Sequence, residues 1–473
     1  LSALESIKYI CPELILLVSS LGILILGLFV KRPRLLGLLS ILALAVSLFY
    51  LPRGNSMPVP LFSNLLLNDQ FSVFFKEVIL LVTSIAVLIS MGCGKLPQEE
   101  RGEYYFLLLF AAIAMMLAVS SNNLLMIYIA FEMISLISYI LAGFLKYDRF
   151  SNEAGLKYFL FGTFATSIML YGISFIYGLF GSIDLSVISA ALAGGKVNNS
   201  AVLVSFILVF AGVGFKCALV PLHMWAPDTY EGAPTPVAAF ISAGPKAVGF
   251  AILIRVFLNN FSPLFLHWAG LFTIISILTM TIGNIAAFSQ PNIKRMLGYS
   301  SIAQAGYILI GFVAATTLGK TAVLFYLVVY SLMNLGAFGC IVLISRSIKS
   351  NSIKDYAGLY KKAPFAAAML SIFLLSLAGL PPLGGFLGKF LLFSAALESK
   401  LILLAVVGGI NSILALYYYL RVIKYMYLEE PKVAVISAGS LPLRIALIVT
   451  AAGILITGIW PYPFLNWVTS AVR

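Results

Sequence analysis

Charge is the scarcest commodity in this sequence. Only 10% of its 473 residues are Asp, Glu, Lys or Arg, against 61% hydrophobic, and the mean hydropathy is +1.05. That balance excludes a soluble globular domain and leaves a polytopic membrane protein. Histidine is almost missing: there are two, His223 and His267. The four cysteines (Cys11, Cys93, Cys217, Cys340) form no CxxC, no haem-attachment motif and no metal-ligand spacing with the histidines. They read as small packing residues. GGFLGK at 384–389 falls short of a phosphate loop, because Leu383 stands where the first glycine belongs and Phe390 where Ser/Thr belongs. No nucleophile–base set is visible. The chain itself is therefore expected to hold no metal and no redox cofactor.

Acidic residues are scarcer than basic ones, 17 against 30, giving a net charge of +13. Such an excess can signal nucleic acid, but here the cations sit in short links between apolar runs. The pattern is that of the positive-inside rule, with a minor attraction to anionic phospholipid, and no nucleic-acid partner is expected.

What is present in abundance is apolar runs of about 20 residues, each long enough to cross a bilayer as a helix. Fourteen are expected: 10–30, 35–51, 71–92, 104–120, 122–145, 155–181, 199–226, 233–258, 264–288, 296–318, 320–346, 363–397, 400–427 and 441–462. No soluble domain interrupts them, so the fold class is all-α, one helical bundle. The shortest link is Ser121–Asn123, and every later orientation depends on it. Assigning alternate links and their flanking helix ends to opposite sides puts 19 Lys and Arg on one side and 8 on the other. The larger group includes Lys31, Lys349 and Lys432; the smaller includes Lys76, Lys196, Arg255 and Arg473. Both termini then lie on the outer side. The chain opens on Leu1 rather than an initiator Met, so a little sequence is expected to precede it. Residues 10–30 are too long, and lack the cleavage site, to be a signal peptide.

Three cations remain inside the apolar runs: Lys216, Lys246 and Lys389. A charge at mid-bilayer costs roughly 2.5–3.5 kcal/mol on insertion scales, so it is rarely retained without a use. Each could instead snorkel or pair structurally. Lys216 lies sixteenth in a stretch from Ala201, and Pro221 follows it. Lys246 follows Pro245 in a stretch free of charge for twelve residues. Both prolines are expected to break or kink their helices. Lys389 sits beyond Pro381 and Pro382 among Gly379, Gly384, Gly385 and Gly388. A Pro-broken helix with a buried lysine thus occurs twice, at 199–226 and 363–397, which hints at inverted repeats. Glu132, eleventh in the span from Asn122, is too short to reach the surface. It reads as a proton site or as the counter-charge to a lysine. His223 titrates near neutrality if water reaches it; a hydrogen-bonded core or interfacial His is the alternative. His267 beside Trp268 reads as interfacial. Asp228 and Glu231 are expected to cap or face the connection after the first broken helix, or to take part in proton uptake. Lys294 and Arg295 are expected to serve topology.

Four segments carry a resemblance: FEMISLISYILAGF, GFKCALVPLHMWAPDTYEGAPTPVAAFISAGPKAVGFA, NIKRMLGYSSIAQAGY and LAGLPPLGGFLGKF. Together, in this order, they resemble the N subunit of bacterial NADH:quinone oxidoreductase (respiratory complex I), one of its antiporter-like membrane subunits. The resemblance runs from about residue 100 to 400. It implies about 14 transmembrane helices, with two inverted five-helix repeats and broken helices 7 and 12. It divides the chain into N-terminal helices 1–3 (1–103), a first repeat (104–258), a second repeat (264–427) and a last helix (441–473). It implies functional roles for Glu132, Lys216, Lys246 and Lys389, with His223 on the same polar axis. SAGPK at 242–246 separates the chain from the L-type and Mrp relatives, and Lys389 from the M type. The implied activity is proton translocation in the membrane arm. NADH, FMN, iron–sulfur clusters and quinone are then expected in partner subunits. The partners implied are the M-type subunit, the small K, J and A-type subunits and phospholipids, in a bacterial inner membrane. The alternatives are an Mrp-type cation/proton antiporter subunit and a structural scaffold of the membrane arm.

Overall fold

The computed structural model describes residues 3–30, 32–53, 57–194, 199–261, 264–348, 350–430 and 439–472. Lys31, Lys196, Lys349, Lys432 and Arg473, used above to assign sides, lie outside the described residues.

Helices dominate, as the apolar runs require. Among the described residues twelve are long and apolar enough to cross a membrane, and Pro33–Phe49 and Pro364–Ala378 are shorter apolar helices. Three of them form the centre: Thr235–Ile252, Ile293–Ala314 and Thr317–Ile348, buried along almost their whole length. Around them stand helices with one apolar face turned outward. Phe29, Phe49, Phe164, Ile413 and Ile459 are all exposed there. A helix that is apolar all round is buried, and one with an exposed apolar stripe faces lipid or a neighbouring chain.

The short link is real. The helix Arg101–Ser120 ends and Leu124–Ala142 begins after a three-residue turn. Asn123 caps the new helix, its side-chain oxygen accepting from the amides of Leu125 and Met126 at 3.0 and 3.2 Å. The turn is pinned on both sides: the Asn122 amide donates to the Leu65 carbonyl, and the Leu124 amide to that of Ile183. Asn292 repeats the device, capping Ile293–Ala314 through the amides of Lys294 and Arg295. Each Asn also bridges to a distant link, Asn123 to Asp184 and Asn292 to Ser352.

Both proline-broken helices are broken. Asn199–Cys217 stops four residues before Pro221, with Ala218 in the left-handed region (φ 57°), and the chain resumes as Trp225–Gly232. Pro364–Ala378 stops at Gly379 (φ 91°), and Gly384–Glu398 follows Pro381 and Pro382. Pro245 does not break its helix: Thr235–Ile252 continues through it and on as a π-helix, Leu253–Asn260. Every residue from Pro236 to Ile252 is buried, so neighbouring helices support the backbone where one bond is missing.

Two features had no sequence signal. A hairpin pairs Val59–Leu61 with Leu66–Asn68, and a short helix, Leu185–Ala193, follows the long Arg149–Phe180. Burial in the protein extends to cations counted above with the links and their flanking helix ends. Besides the three lysines, Lys76, Arg101, Arg255 and Lys294 are buried. Lys76 lies inside Gln70–Met91 and forms a 2.8 Å ion pair with Glu13, both almost wholly shielded. Arg255 pairs with Asp69 at 2.9 Å. A carboxylate on another helix lets these cations stay inside, which position along the chain cannot reveal. Trp268 is fully buried among Phe206, Phe265, Phe272 and Phe312, whereas His267 beside it is exposed.

Candidate functional site: a line of buried lysines

Lys216, Lys246 and Lys389 are only 2%, 1% and 3% exposed. None of them snorkels. Each is placed by a different local cause. Lys216 is the next-to-last residue of a helix that ends early, and the indole of Trp225 donates at 3.0 Å to the carbonyl of Phe215, which also accepts from the Ala218 amide. Lys246 projects from the centre of a fully buried helix. Lys389 sits in the second half of a broken helix and donates to the carbonyl of Ala378, the last residue of the first half, at 3.0 Å.

At the first end, the Lys216 ammonium has no hydrogen-bond partner among the described residues. Glu132 is its charged neighbour, on Leu124–Ala142, and one of its carboxylate oxygens is likewise buried without a partner. The two feel one another's charge, yet among the described residues they form no ion pair. Lys246 lies across a tight contact from this end. A Cβ at Gly249 would come 3.2 Å from the Cβ of Lys216 and 2.7 Å from the Cys217 sulfur. Only glycine allows the central helix this near.

At the middle, the Lys246 ammonium donates to the Ser301 carbonyl at 2.7 Å and to the Ser301 hydroxyl. It also lies 5.5 Å from the centre of the Tyr330 ring. That ring's hydroxyl donates to the Ser301 hydroxyl at 2.8 Å and accepts from Asn334 at 2.5 Å.

Three residues on from Ser301, Gln304 occupies the centre of a second cluster. It donates to the Leu377 carbonyl at 3.0 Å and to the Tyr419 hydroxyl at 3.3 Å, and accepts from Tyr326 at 2.5 Å. Tyr419 also reaches Ser300 at 2.5 Å. Three residues further, Tyr307 presents its ring to the Lys389 ammonium at 4.5 Å, while Asn284 donates to its hydroxyl at 3.1 Å. Ser301, Gln304 and Tyr307 therefore share one face of Ile293–Ala314. Lys246 touches one end of that face and Lys389 the other.

Sequence reasoning named the lysines and Glu132 but missed Ser301, Gln304, Tyr307, Tyr330 and Tyr419. The signal was weak: Ile293–Ala314 has the lowest hydropathy of the twelve long spans, yet is nearly all buried. His223 stands apart. It lies in the break between Cys217 and Trp225, half-buried, its Nδ1 without a partner. It makes no hydrogen bond to the lysines among the described residues. Asp228 and Glu231 join a network at one end of the bundle. Asp228 accepts from Lys157 at 2.8 Å and Arg295 at 2.6 Å, and Glu231 from Arg295 at 2.9 Å and Asn292 at 2.8 Å. Lys294 is more than a topological charge: it donates to the carbonyls of Glu231 and Ala233 at 2.6 and 2.7 Å. These are orphan carbonyls at the end of Trp225–Gly232.

Comparison with known proteins places this arrangement. Residues 121–415 match the family described as NADH:quinone oxidoreductase/Mrp antiporter, TM. NADH-quinone oxidoreductase subunit N of Trichlorobacter lovleyi is 43% identical, over 99% of this chain and 97% of that one. Subunit N 1 of Solibacter usitatus is also 43% identical, over 97% and 96%. A chain of respiratory complex I from Thermus thermophilus is 31% identical with a TM-score of 0.83, over 97% of this chain and 99% of that one. A chain of the Mrp complex from a Dietzia species shares the fold at a TM-score of 0.84, with 21% identity over 98% and 97%. With a family match over more than half its length and near full-length relatives at 43% identity, the chain belongs to the NADH:quinone oxidoreductase/Mrp antiporter family of membrane subunits, among the N subunits of NADH-quinone oxidoreductase.

Proposed function

We propose that this chain moves protons across the membrane as an antiporter-like subunit of an NADH-quinone oxidoreductase, along Glu132, Lys216, Lys246 and Lys389. The observation that carries the reading is the contact of Lys246 with Ser301 and of Lys389 with Tyr307 on one helix, with the hydrogen-bonded Gln304 between those two positions. Three deeply buried ammonium groups, two of them held by hydroxyl or carbonyl oxygens, are suited to holding and passing protons.

Lys216 is loaded from the inner side, with His223 in the adjoining break as a further protonatable group. Glu132 lies near Lys216 without contact, so the pair can close and open. At ~4 Å and an effective dielectric of ~20, closing it is worth roughly 4 kcal/mol. Opening it weakens the hold of Lys216 on its proton, which passes to Lys246 and then to Lys389, with release outside. NADH oxidation and quinone reduction, with FMN, iron–sulfur clusters and quinone, take place in partner subunits. Those partners include the M-type and the small K, J and A-type subunits. The chain lies in a bacterial inner membrane with both termini outside.

Helices 4–8 and 9–13 act as two inverted repeats within 104–258 and 264–427, and fourteen spans in all cross the membrane. Support comes from the paired broken helices and from the two Asn caps, Asn123 and Asn292, each bridged to a distant link. An Mrp-type antiporter shares the fold, but the near full-length relatives at 43% identity favour the oxidoreductase.

The test is Lys216→Ala and Glu132→Ala in an assembled complex, with NADH-driven proton uptake measured in proteoliposomes. Both variants are expected to pump less per NADH oxidised. Undiminished pumping in a complex of normal subunit content would overturn the reading.

A further inference from the structure

Four helix ends meet around a cavity of about 580 Å³, within the ~300–1,000 Å³ range of ligand pockets. Arg32 and Arg34 stand at the start of Pro33–Phe49, Arg101 at the start of Arg101–Ser120, and Arg346 in the last turn of Thr317–Ile348. Gln70–Met91 contributes its final residue. All four arginines line the cavity, and none forms an ion pair among the described residues. No Asp or Glu is among the described lining residues. Glu100, beside Arg101 in sequence, is bound instead to Lys146 at 2.9 Å.

The floor is rigid. Arg101 is 5% exposed, and its guanidinium donates to the Ser90 and Cys93 carbonyls at 2.7 and 2.5 Å. Its Nε is buried without a partner. Arg32, Arg34 and Arg346 are exposed around it. The wall is apolar: Leu35 and Leu38 line the cavity and are 43% and 56% exposed. Leu42, one turn further along the same helix, extends that stripe toward mid-membrane at 59%.

We propose that this cavity binds the headgroup of an anionic phospholipid, with an acyl chain along Leu35, Leu38 and Leu42. Three exposed guanidinium groups, on Arg32, Arg34 and Arg346, match a phosphodiester, since arginine holds phosphate oxygens bidentately, and the buried Arg101 adds its positive charge beneath them. Basic pockets between helix ends at a membrane surface recognise such headgroups. The adjoining apolar stripe selects a lipid over a free anion. The site lies away from the lysine line, and the proposal does not rest on proton translocation.

The test uses the purified complex in detergent, titrated with phosphatidylglycerol, phosphatidylcholine and inorganic phosphate, with bound lipid counted by native mass spectrometry. Phosphatidylglycerol is expected to bind at least tenfold tighter than phosphatidylcholine. Each surface arginine contributes about a fivefold factor, so Arg34→Gln with Arg346→Gln should weaken phosphatidylglycerol about 30-fold and leave phosphatidylcholine unchanged. Leu38→Trp fills the mouth with every charge intact and should also lower phosphatidylglycerol binding. It carries the test if the double variant does not assemble. Equal affinity for the two lipids, or an unaltered affinity in the variants, overturns the proposal. Competition by phosphate at equal concentration assigns the site to a free anion and overturns it too. So does cross-linking of Leu38→Cys to a neighbouring subunit.

Discussion

Gln304→Met is the sharpest perturbation of the lysine line. The substitution nearly conserves volume, so packing changes little. It removes three hydrogen bonds: to the Leu377 carbonyl, to Tyr419 and from Tyr326. Two of these hold the hydroxyls between Ser301 and Tyr307. A neutral hydrogen bond is worth about 0.5–1.5 kcal/mol net, so losing both raises the cost of passage here by about 1–3 kcal/mol. If transfer at this point limits the flux, that slows it by roughly 5- to 150-fold. Lys246 and Lys389 keep their own contacts, since neither touches Gln304. The assay is NADH-driven acidification of proteoliposomes, normalised to NADH oxidised, with assembly verified by native gel. A complex that assembles and pumps at the wild-type ratio would refute the idea that Gln304 bridges the two lysines.

Other contacts give independent checks. Ser301→Ala takes one of two oxygen acceptors from Lys246 and removes the acceptor of the Tyr330 hydroxyl, and should lower pumping while Lys246→Ala abolishes it with assembly intact; full pumping by Lys246→Ala would point to a scaffold. Glu13→Gln or Lys76→Met alone should cost about 3–5 kcal/mol and lower the melting temperature of the complex, whereas the double variant should recover most of the loss. Burial pushes the Asp69 carboxyl up, but the Arg255 ion pair and the Ser72 hydrogen bonds outweigh it and hold the group below its ordinary value. A lowered value stabilises the fold above the ordinary carboxylate range and loses that contribution as pH falls through the lowered value. Asp69→Asn should therefore melt lower than wild type at pH 7, and the gap should close as pH falls below about 4.

The lysines and the breaks were legible because each violates a local rule. A charge inside an apolar run and a proline inside a helix both stand out in one dimension. What escaped notice obeys the local rules and acts only in three dimensions. Glu13 and Lys76 look like helix-end charges until two helices bring them to 2.8 Å. Ser301, Gln304 and Tyr307 are unremarkable one at a time, and their meaning comes from the neighbours that reach them from six other helices. Pro245 differs from Pro221: of the break or kink that the local rule allows, the break does not occur, and the helix passes through it fully buried.

The helix Ile293–Ala314 has a mechanical consequence. From Ser301 to Tyr307 the rise is about 9 Å of rigid rod. Any screw or slide of that rod alters the oxygen offered to Lys246 and the ring offered to Lys389 in the same movement. The two ammonium groups therefore cannot be tuned separately. A preference of one for a given rod position must bias the other by an equal free energy, in either direction. Information between the halves of this subunit would then travel as a displacement of one solid body, and a proton arriving at either lysine would be felt at both.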